Sequence, residues 1–262
     1  MVDIISTTKN KTYKYIKSLL QKKAREENGV YTVEGKKAVI SAVDAGCRIR
    51  LIAMSESFYS DDLFTVPHGC EYVLIRDELF VGLCDTKTPQ GVTAVIEMKD
   101  TSEFVPDMNK LYIYCDNISD PGNLGTIIRT ADAAGFGGVL ISKGSADVFS
   151  PKTVRSSMGS FFNIDIIPDF EYSRLFDLKK QGFSLCCGAL LPESKNYTSV
   201  DFTKPTVIIV GNEANGASSD ILRESEHIII PIYGKAESLN AGVAASLMMY
   251  EAVRQREIRD HG

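Results

Sequence analysis

The sequence has little of what marks a membrane, secreted or metal-dependent protein. It holds no continuous apolar span of membrane length. Its start does not read as a signal peptide, since Lys9 to Lys23 is basic and interrupted, and none is expected. A cytoplasmic protein with no membrane contact is expected. The six cysteines, Cys47, Cys70, Cys84, Cys115, Cys186 and Cys187, form no C-x-x-C pair. They read as reduced thiols acting as small hydrophobes, not as disulfides or zinc ligands. The three histidines are scattered, so neither a metal site nor a Cys/His nucleophile is expected. No Walker loop is present. The nearest dinucleotide-type glycine cluster, Gly135-Phe136-Gly137-Gly138, follows a helix pattern and precedes a strand, the reverse of the required order. There is no internal repeat and no low-complexity segment.

What is present is 262 residues, enough for one large domain or two modest ones. The net charge of −5 is unevenly spread. Residues 1–37 carry nine lysines and arginines against four acids, a local +5 that leaves −10 for the remainder. A basic end on an acidic body suits a phosphate-facing arm, and equally a solvated lysine-rich helix.

Hydrophobic periodicity predicts two α/β modules. In the first, one helix is expected over Lys11 to Glu27, with Tyr15, Leu19 and Leu20 inward and a stop at Asn28-Gly29. Strands are expected at 30–33, 48–55, 72–75 and 91–96, and helices at 36–45 and 76–83. Polar, aperiodic residues 101–108 read as a linker between domains 1–100 and 109–262. The second module begins with the apolar strand Leu111–Cys115. Asp120-Pro121 then signals a helix start, a capping carboxylate before a proline at the first helical position. Strands follow at 138–142, 161–167, 184–191, 206–210 and 228–232. Helices are expected at 151–158 and 172–181, and a last one over 241–256 in which Leu247, Met248, Tyr250 and Val253 supply apolar bulk.

Two of those strands end in polar loops. Thr206–Val210 meets Gly211-Asn212-Glu213-Ala214-Asn215-Gly216, and the run Ile228 to Ile232 stops at Gly234, shortly before Ser238-Leu239-Asn240. Ligands of open α/β sheets sit outside the carboxyl ends of the strands. Glu213, Ser238 and Asn240 are therefore candidate site residues. Asn123 lies in the first turn of its helix, and Arg129 about two turns on, where its length is needed to reach the same region. Arginine near free helix-terminal N–H groups suits a phosphate, and on spacing alone a surface salt bridge explains Arg129 nearly as well.

Three blocks resemble the SpoU/TrmH branch of the SPOUT RNA methyltransferases: Asp116 to Gly137, Val210-Gly211-Asn212-Glu213, and Ile230-Pro231-Ile232 through Ser238-Leu239-Asn240 to Glu251. The likeness covers roughly residues 109–258. It departs where the family places glycine after the glutamate, here Ala214, and a β-branched residue and serine after the asparagine, here Ala241-Gly242. The front module resembles the ribosomal-protein-like substrate-binding domain often fused to this fold, through Glu34-Gly35 and Thr86 to Gly91. The resemblance implies a parallel sheet with a deep trefoil knot, an exception to the rule against threaded connections. It implies S-adenosylmethionine as cofactor, lined by Gly211, Ile230 and Leu239 with Gly188, Ala189 and Leu190 as a floor. It implies methyl transfer to a ribose 2′-hydroxyl of RNA, ribosomal more than transfer RNA, by a homodimer in which Asn123 and Arg129 approach the partner's cofactor. Arg129 would grip the adjacent phosphate and stabilise alkoxide charge. Glu213, Ser238 and Asn240 would orient the ribose or share its proton. Lys14, Lys17, Lys22, Lys23 and Arg25 would capture RNA. The alternatives are a non-catalytic RNA-binding protein of the same fold and a transfer-RNA or base methyltransferase.

Overall fold

The computed structural model describes residues 4–60 and 64–261, the last three without their side chains. The chain forms two compact units, one of residues 1–100 with 149–162, the other of 101–148 with 163–262.

The first unit begins with β1 (Ile4–Ile5), α1 (Lys11–Ser18), α2 (Lys22–Asn28), β2 (Val30–Glu34) and α3 (Lys36–Asp44). It continues with β3 (Ile49–Ser55), α4 (Glu56–Ser60), β4 (Tyr72–Ile75), α5 (Asp77–Phe80) and β5 (Val92–Glu97). The strands lie in the order β1-β4-β3-β5-β2. β1, β4 and β3 run parallel, while β5 is antiparallel to both β3 and β2. Tyr13, Ile16 and Leu19 pack with Leu51, Ile75, Phe80, Leu83 and Val95 on one side of this sheet.

The helix expected over 11–27 is two helices. Gln21 is extended, and the break lets Leu19 enter the core while its carbonyl accepts a 2.7 Å hydrogen bond from Nη1 of Arg25. Tyr13 and Ile16, not Tyr15 and Leu20, are the buried residues of α1. Arg25 is buried, so it is a structural cation and not an RNA contact. α2 ends at Gly29, whose φ of 61° is the left-handed conformation that glycine adopts without strain.

The second unit opens with β6 (Leu111–Cys115), α6 (Pro121–Ala133) and β7 (Gly138–Ile141). The chain then makes α7 (Pro151–Ser156), which packs on β2 within the first unit. The expected strand over 161–167 shrinks to β8 (Asp165–Ile167), because residues 160–162 form a short 3-10 turn that packs Phe161 against Tyr31, with ring centres 5.5 Å apart and the rings tilted. The remaining elements are α8 (Tyr172–Lys180), β9 (Ser184–Gly188), β10 (Lys195–Asn196), β11 (Thr206–Val210), α9 (Ser219–Glu224), β12 (Glu226–Ile229) and α10 (Ala241–His261). Their sheet is parallel throughout, in the order β10-β12-β9-β11-β6-β7-β8.

β6 and β11 are buried along their whole length, as expected of strands covered on both faces. One face holds Tyr114, Phe170, Leu175, Leu178 and Ile221. α10 packs on β11 and α6. It buries Ala245, Met248, Met249 and Ala252, but leaves Val243, Leu247 and Tyr250 exposed, against the expectation that Leu247 and Tyr250 fill the core. Because the strands are parallel, the loops after β6, β9, β11 and β12 emerge at one edge. Burial pushes the Cys186 and Cys187 thiols up to about 12, so they stay protonated and inert, and all six cysteines are free. Among the described residues, no helix is long and apolar enough to cross a membrane and no group of three or more His, Cys, Asp or Glu could hold a metal ion.

Replacing Arg25 with alanine should cost about 2 kcal/mol in a urea unfolding curve, because the buried Leu19 carbonyl loses its charged donor. Lysine should not restore it, lacking the planar fork.

Candidate active site

β11 ends at Gly211, and a side chain here is impossible. A Cβ would lie 2.2 Å from the Ala217 nitrogen and 2.3 Å from the Gly216 carbonyl carbon. The loop therefore folds back against its own strand end. Asn212 and Gly216 exchange backbone hydrogen bonds of 3.0 and 2.9 Å, and Asn212 Oδ1 accepts from the nitrogens of Ala214 and Asn215. Gly216 supplies the left-handed residue at φ 70°. Ala214 is not left-handed, which explains why alanine is tolerated where the family pattern has glycine.

This fold-back presents Glu213 to the start of α6. Oε2 accepts from the Ser119 hydroxyl (2.7 Å) and nitrogen (3.1 Å), and Oε1 from the Asp120 nitrogen (3.3 Å) and Asn123 Nδ2 (2.8 Å). Asp120 caps α6 through the Asn123 nitrogen, as its Asp-Pro signal predicted. Partial burial acts to raise the Glu213 pKa, but the hydrogen bonds from Asn123 and Ser119 outweigh it and lower it to about 2.

The bonding runs on in one direction. A carboxylate only accepts, so the Asn123 amide must face Glu213 with its NH2 group. Its carbonyl oxygen is left to accept from Asn240 Nδ2 at 2.8 Å. Asn240 Oδ1 in turn accepts from the Val243 nitrogen and starts α10. Asn123, Glu213 and Asn240 are thus brought together as one chain. Gly242 lets α10 approach α6, since a Cβ would lie 3.2 Å from the Thr126 methyl group. Thr130 and Ser246 hydroxyls meet at 3.0 Å further along.

Beside this chain lies a cavity of about 530 Å3, of the size that holds a small-molecule ligand. Gly188, Ala189, Leu190, Gly211, Ile230 and Leu239 all line it, as do Glu213 and Ser238. Glu213 and Glu237 are its charged wall residues and no cationic side chain lines it, so a sulfonium ligand meets no like charge. The backbone of residues 231–239 makes no hydrogen bond to other described residues, leaving its donors and acceptors open. These features fit S-adenosylmethionine.

Three candidates lie off the cavity wall, Asn123, Arg129 and Asn240, the first and last of them in the chain that borders it. Arg129 does not line the cavity; it is exposed on α6 and makes no hydrogen bond or ion pair among the described residues. Asn240 lies outside the wall. Sequence reasoning missed Asp116, which is fully buried. Its Oδ1 accepts from the Tyr172 hydroxyl (2.7 Å) and Asn117 Nδ2, and its Oδ2 from the Ser218 nitrogen (2.7 Å). A carboxylate ending an otherwise apolar strand was the available signal. Ser119 was missed too, because its partner lies 94 residues away.

Comparison with known proteins gives consistent matches. Residues 110–250 match the SpoU rRNA Methylase family, and residues 10–94 the MRM3-like substrate binding domain. The chain is 34% identical to the 23S rRNA (guanosine(2553)-2'-O)-methyltransferase RlmP of Bacillus subtilis, over 94% of this chain and 97% of that one. It is 30% identical to the 23S rRNA (uridine(2479)-2'-O)-methyltransferase of Streptomyces viridochromogenes, over 95% and 92%. The AdoMet-bound rRNA methyltransferase of Sinorhizobium meliloti superposes with a TM-score of 0.86 at 33% identity, covering 97% of this chain and 98% of that one.

The depressed Glu213 pKa stabilises the fold fully above its unfolded value, about 4.3, and the gain is lost as pH falls towards about 2. Glu213→Gln should flatten the stability profile over that window by about 1 kcal/mol, allowing for solvent screening at this exposed group. Acid titration of thermal stability in both proteins checks this.

Proposed function

The chain belongs to the SpoU family of ribosomal RNA methylases, and from that premise we propose how its residues divide the work of an S-adenosylmethionine-dependent RNA 2′-O-ribose methyltransferase acting on 23S ribosomal RNA. The observation that carries this reading is the cavity at the edge of the parallel sheet, walled by Gly188, Gly211, Ile230 and Leu239 and bordered by the Asn240–Asn123–Glu213 chain.

Bound in this cavity, S-adenosylmethionine supplies an electrophilic methyl group on a sulfonium centre. The protein's task is to bring a ribose hydroxyl, a weak nucleophile, into line with it and to stabilise the charge that develops on oxygen. Glu213 is not the proton acceptor. Both its oxygens are occupied by donors and its pKa is lowered to about 2, far from the operating range of a general base. We assign it a positioning role, fixing Asn123 and through it the start of α10. Ser238 has no partner among the described residues, and its hydroxyl at the cavity wall is free to orient the ribose. Arg129 is always charged and serves as the grip on the neighbouring phosphate.

One chain leaves Arg129 off the cavity, so a second copy is needed to bring it there. We propose a homodimer with a trefoil-knotted second domain, in the cytoplasm. Supporting the dimer is the apolar stripe of Val243, Leu247 and Tyr250, spaced to lie on one face of α10 and exposed in the single chain. We also propose domains at 1–100 and 109–262 joined by 101–108, with the segment 149–162 docked on the first of them. RNA capture falls to Lys14 and Lys17, which are exposed and have no partner among the described residues. Lys22 and Lys23 are tied at 3.5 and 3.8 Å to Glu26 and Glu27 and contribute less.

Arg129→Ala should abolish methylation of 23S ribosomal RNA while calorimetry still registers S-adenosylmethionine binding; wild-type turnover would remove Arg129 from the mechanism. Neutralising Lys14 and Lys17 together should reduce the slope of log affinity against log salt by about 1.4. An unchanged slope in filter-binding assays would move RNA capture elsewhere.

A further inference from the structure

Residues 149–162 fall within the stretch that matches the methylase family, yet they pack in the first unit. The attachment is aromatic. Phe149 and Phe161 lie 5.2 and 5.5 Å from the Tyr31 ring and 5.9 Å from each other. Thr153 and Val154 form the buried face of α7, and Ser157 just after it is buried too.

The outward face is different. Arg155 is exposed, and its Nη2 lies 3.2 Å from Asp85 Oδ2. Asp85 is held in turn, its nitrogen donating to Glu34 Oε1 at 2.6 Å. Gln90, at the end of the same loop, accepts from the Lys36 nitrogen at 3.0 Å. The start of α3, the 85–90 loop and α7 are thereby laced into one edge. Lys37 and Lys87 are exposed on it and have no partner among the described residues.

Met158 closes α7, its nitrogen bonded to the Arg155 carbonyl at 3.2 Å. Met158 has a φ of 54°, a conformation strained for a residue with a Cβ and usually given to glycine at this helix position. Among the described residues, the other non-glycine residues at positive φ are Asn117 and Asp169, types that tolerate it through local hydrogen bonding. Methionine gains nothing of that kind, and 60% of it faces solvent. The following Gly159 rests on α3, where a Cβ would lie 3.3 Å from the Ser41 hydroxyl, one turn beyond Lys37. An exposed, polarisable apolar group held in a strained backbone three residues from an exposed arginine matches the two halves of a nucleotide: an apolar base face and a phosphate.

We propose that residues 149–162 belong to the RNA-reading surface of the first unit, with Met158 packed on the face of an unstacked base and Arg155 taking a backbone phosphate. The ion pair to Asp85 is half-exposed on both sides and exchanges readily for such a contact. This inference rests on the RNA-methylating function proposed above.

Met158→Gly separates the roles, because glycine relieves the backbone while deleting the contact. Its melting temperature should hold or rise and its S-adenosylmethionine affinity should be unchanged. Its affinity for in vitro transcribed 23S ribosomal RNA should fall about fourfold, the factor for exposing one methylene equivalent, and Met158→Leu should recover most of it. Arg155→Ala should lower the salt slope by about 0.7. Wild-type RNA affinity in Met158→Gly together with a wild-type slope in Arg155→Ala overturns this inference alone. A wild-type protein that binds S-adenosylmethionine but leaves every ribosomal RNA ribose unmethylated overturns the functional reading and this inference with it.

Discussion

The active edge depends on one carboxylate. Glu213 leaves the end of β11 and collects four hydrogen bonds from the loop after β6 and the first turn of α6. A negative charge at a helix N-terminus is favoured both by the free N–H groups there and by the helix dipole. Once it is fixed, the asymmetry of the amide group does the rest: Asn123 can face it in one way only, and Asn240 can face Asn123 in one way only. Two loops and the beginning of the last helix are thus set by a single acceptor. The same saturation that makes Glu213 a good anchor makes it a poor base.

The cavity follows from this arrangement and is built largely from main chain and small or aliphatic residues. Gly211 permits the 216–217 backbone to pass where any side chain would stand. Buried Asp116 ties the starts of α8 and α9 to the end of β6 through Tyr172 and Ser218. Ala214 stands where the family pattern has glycine, and Gly216 is the left-handed residue of this loop.

The first unit shows how little a charge pattern says about the job of any one cation. Arg25 and Lys17 both belong to the basic N-terminal run. One is sunk in the core closing a helix break, and the other faces water. The unit also takes in a segment from far along the chain, whose phenylalanines complete an aromatic cluster on Tyr31.

By itself the sequence determined the strands buried on both faces, since unbroken apolar runs such as Leu111–Cys115 and Thr206–Val210 have no other stable use in a chain this size. It determined the start of α6, because Asp120-Pro121 is a local signal whose partners lie within one turn. It also marked the cavity wall at Gly211, Ile230 and Leu239, since family motifs record strand ends. The tertiary structure alone decided the break after Leu19, the burial of Arg25, the docking of residues 149–162, the exposed stripe of α10 and the four donors on Glu213. Each of these turns on a partner distant in sequence or on which face of an element finds a neighbour. Periodicity along one segment carries no information about either.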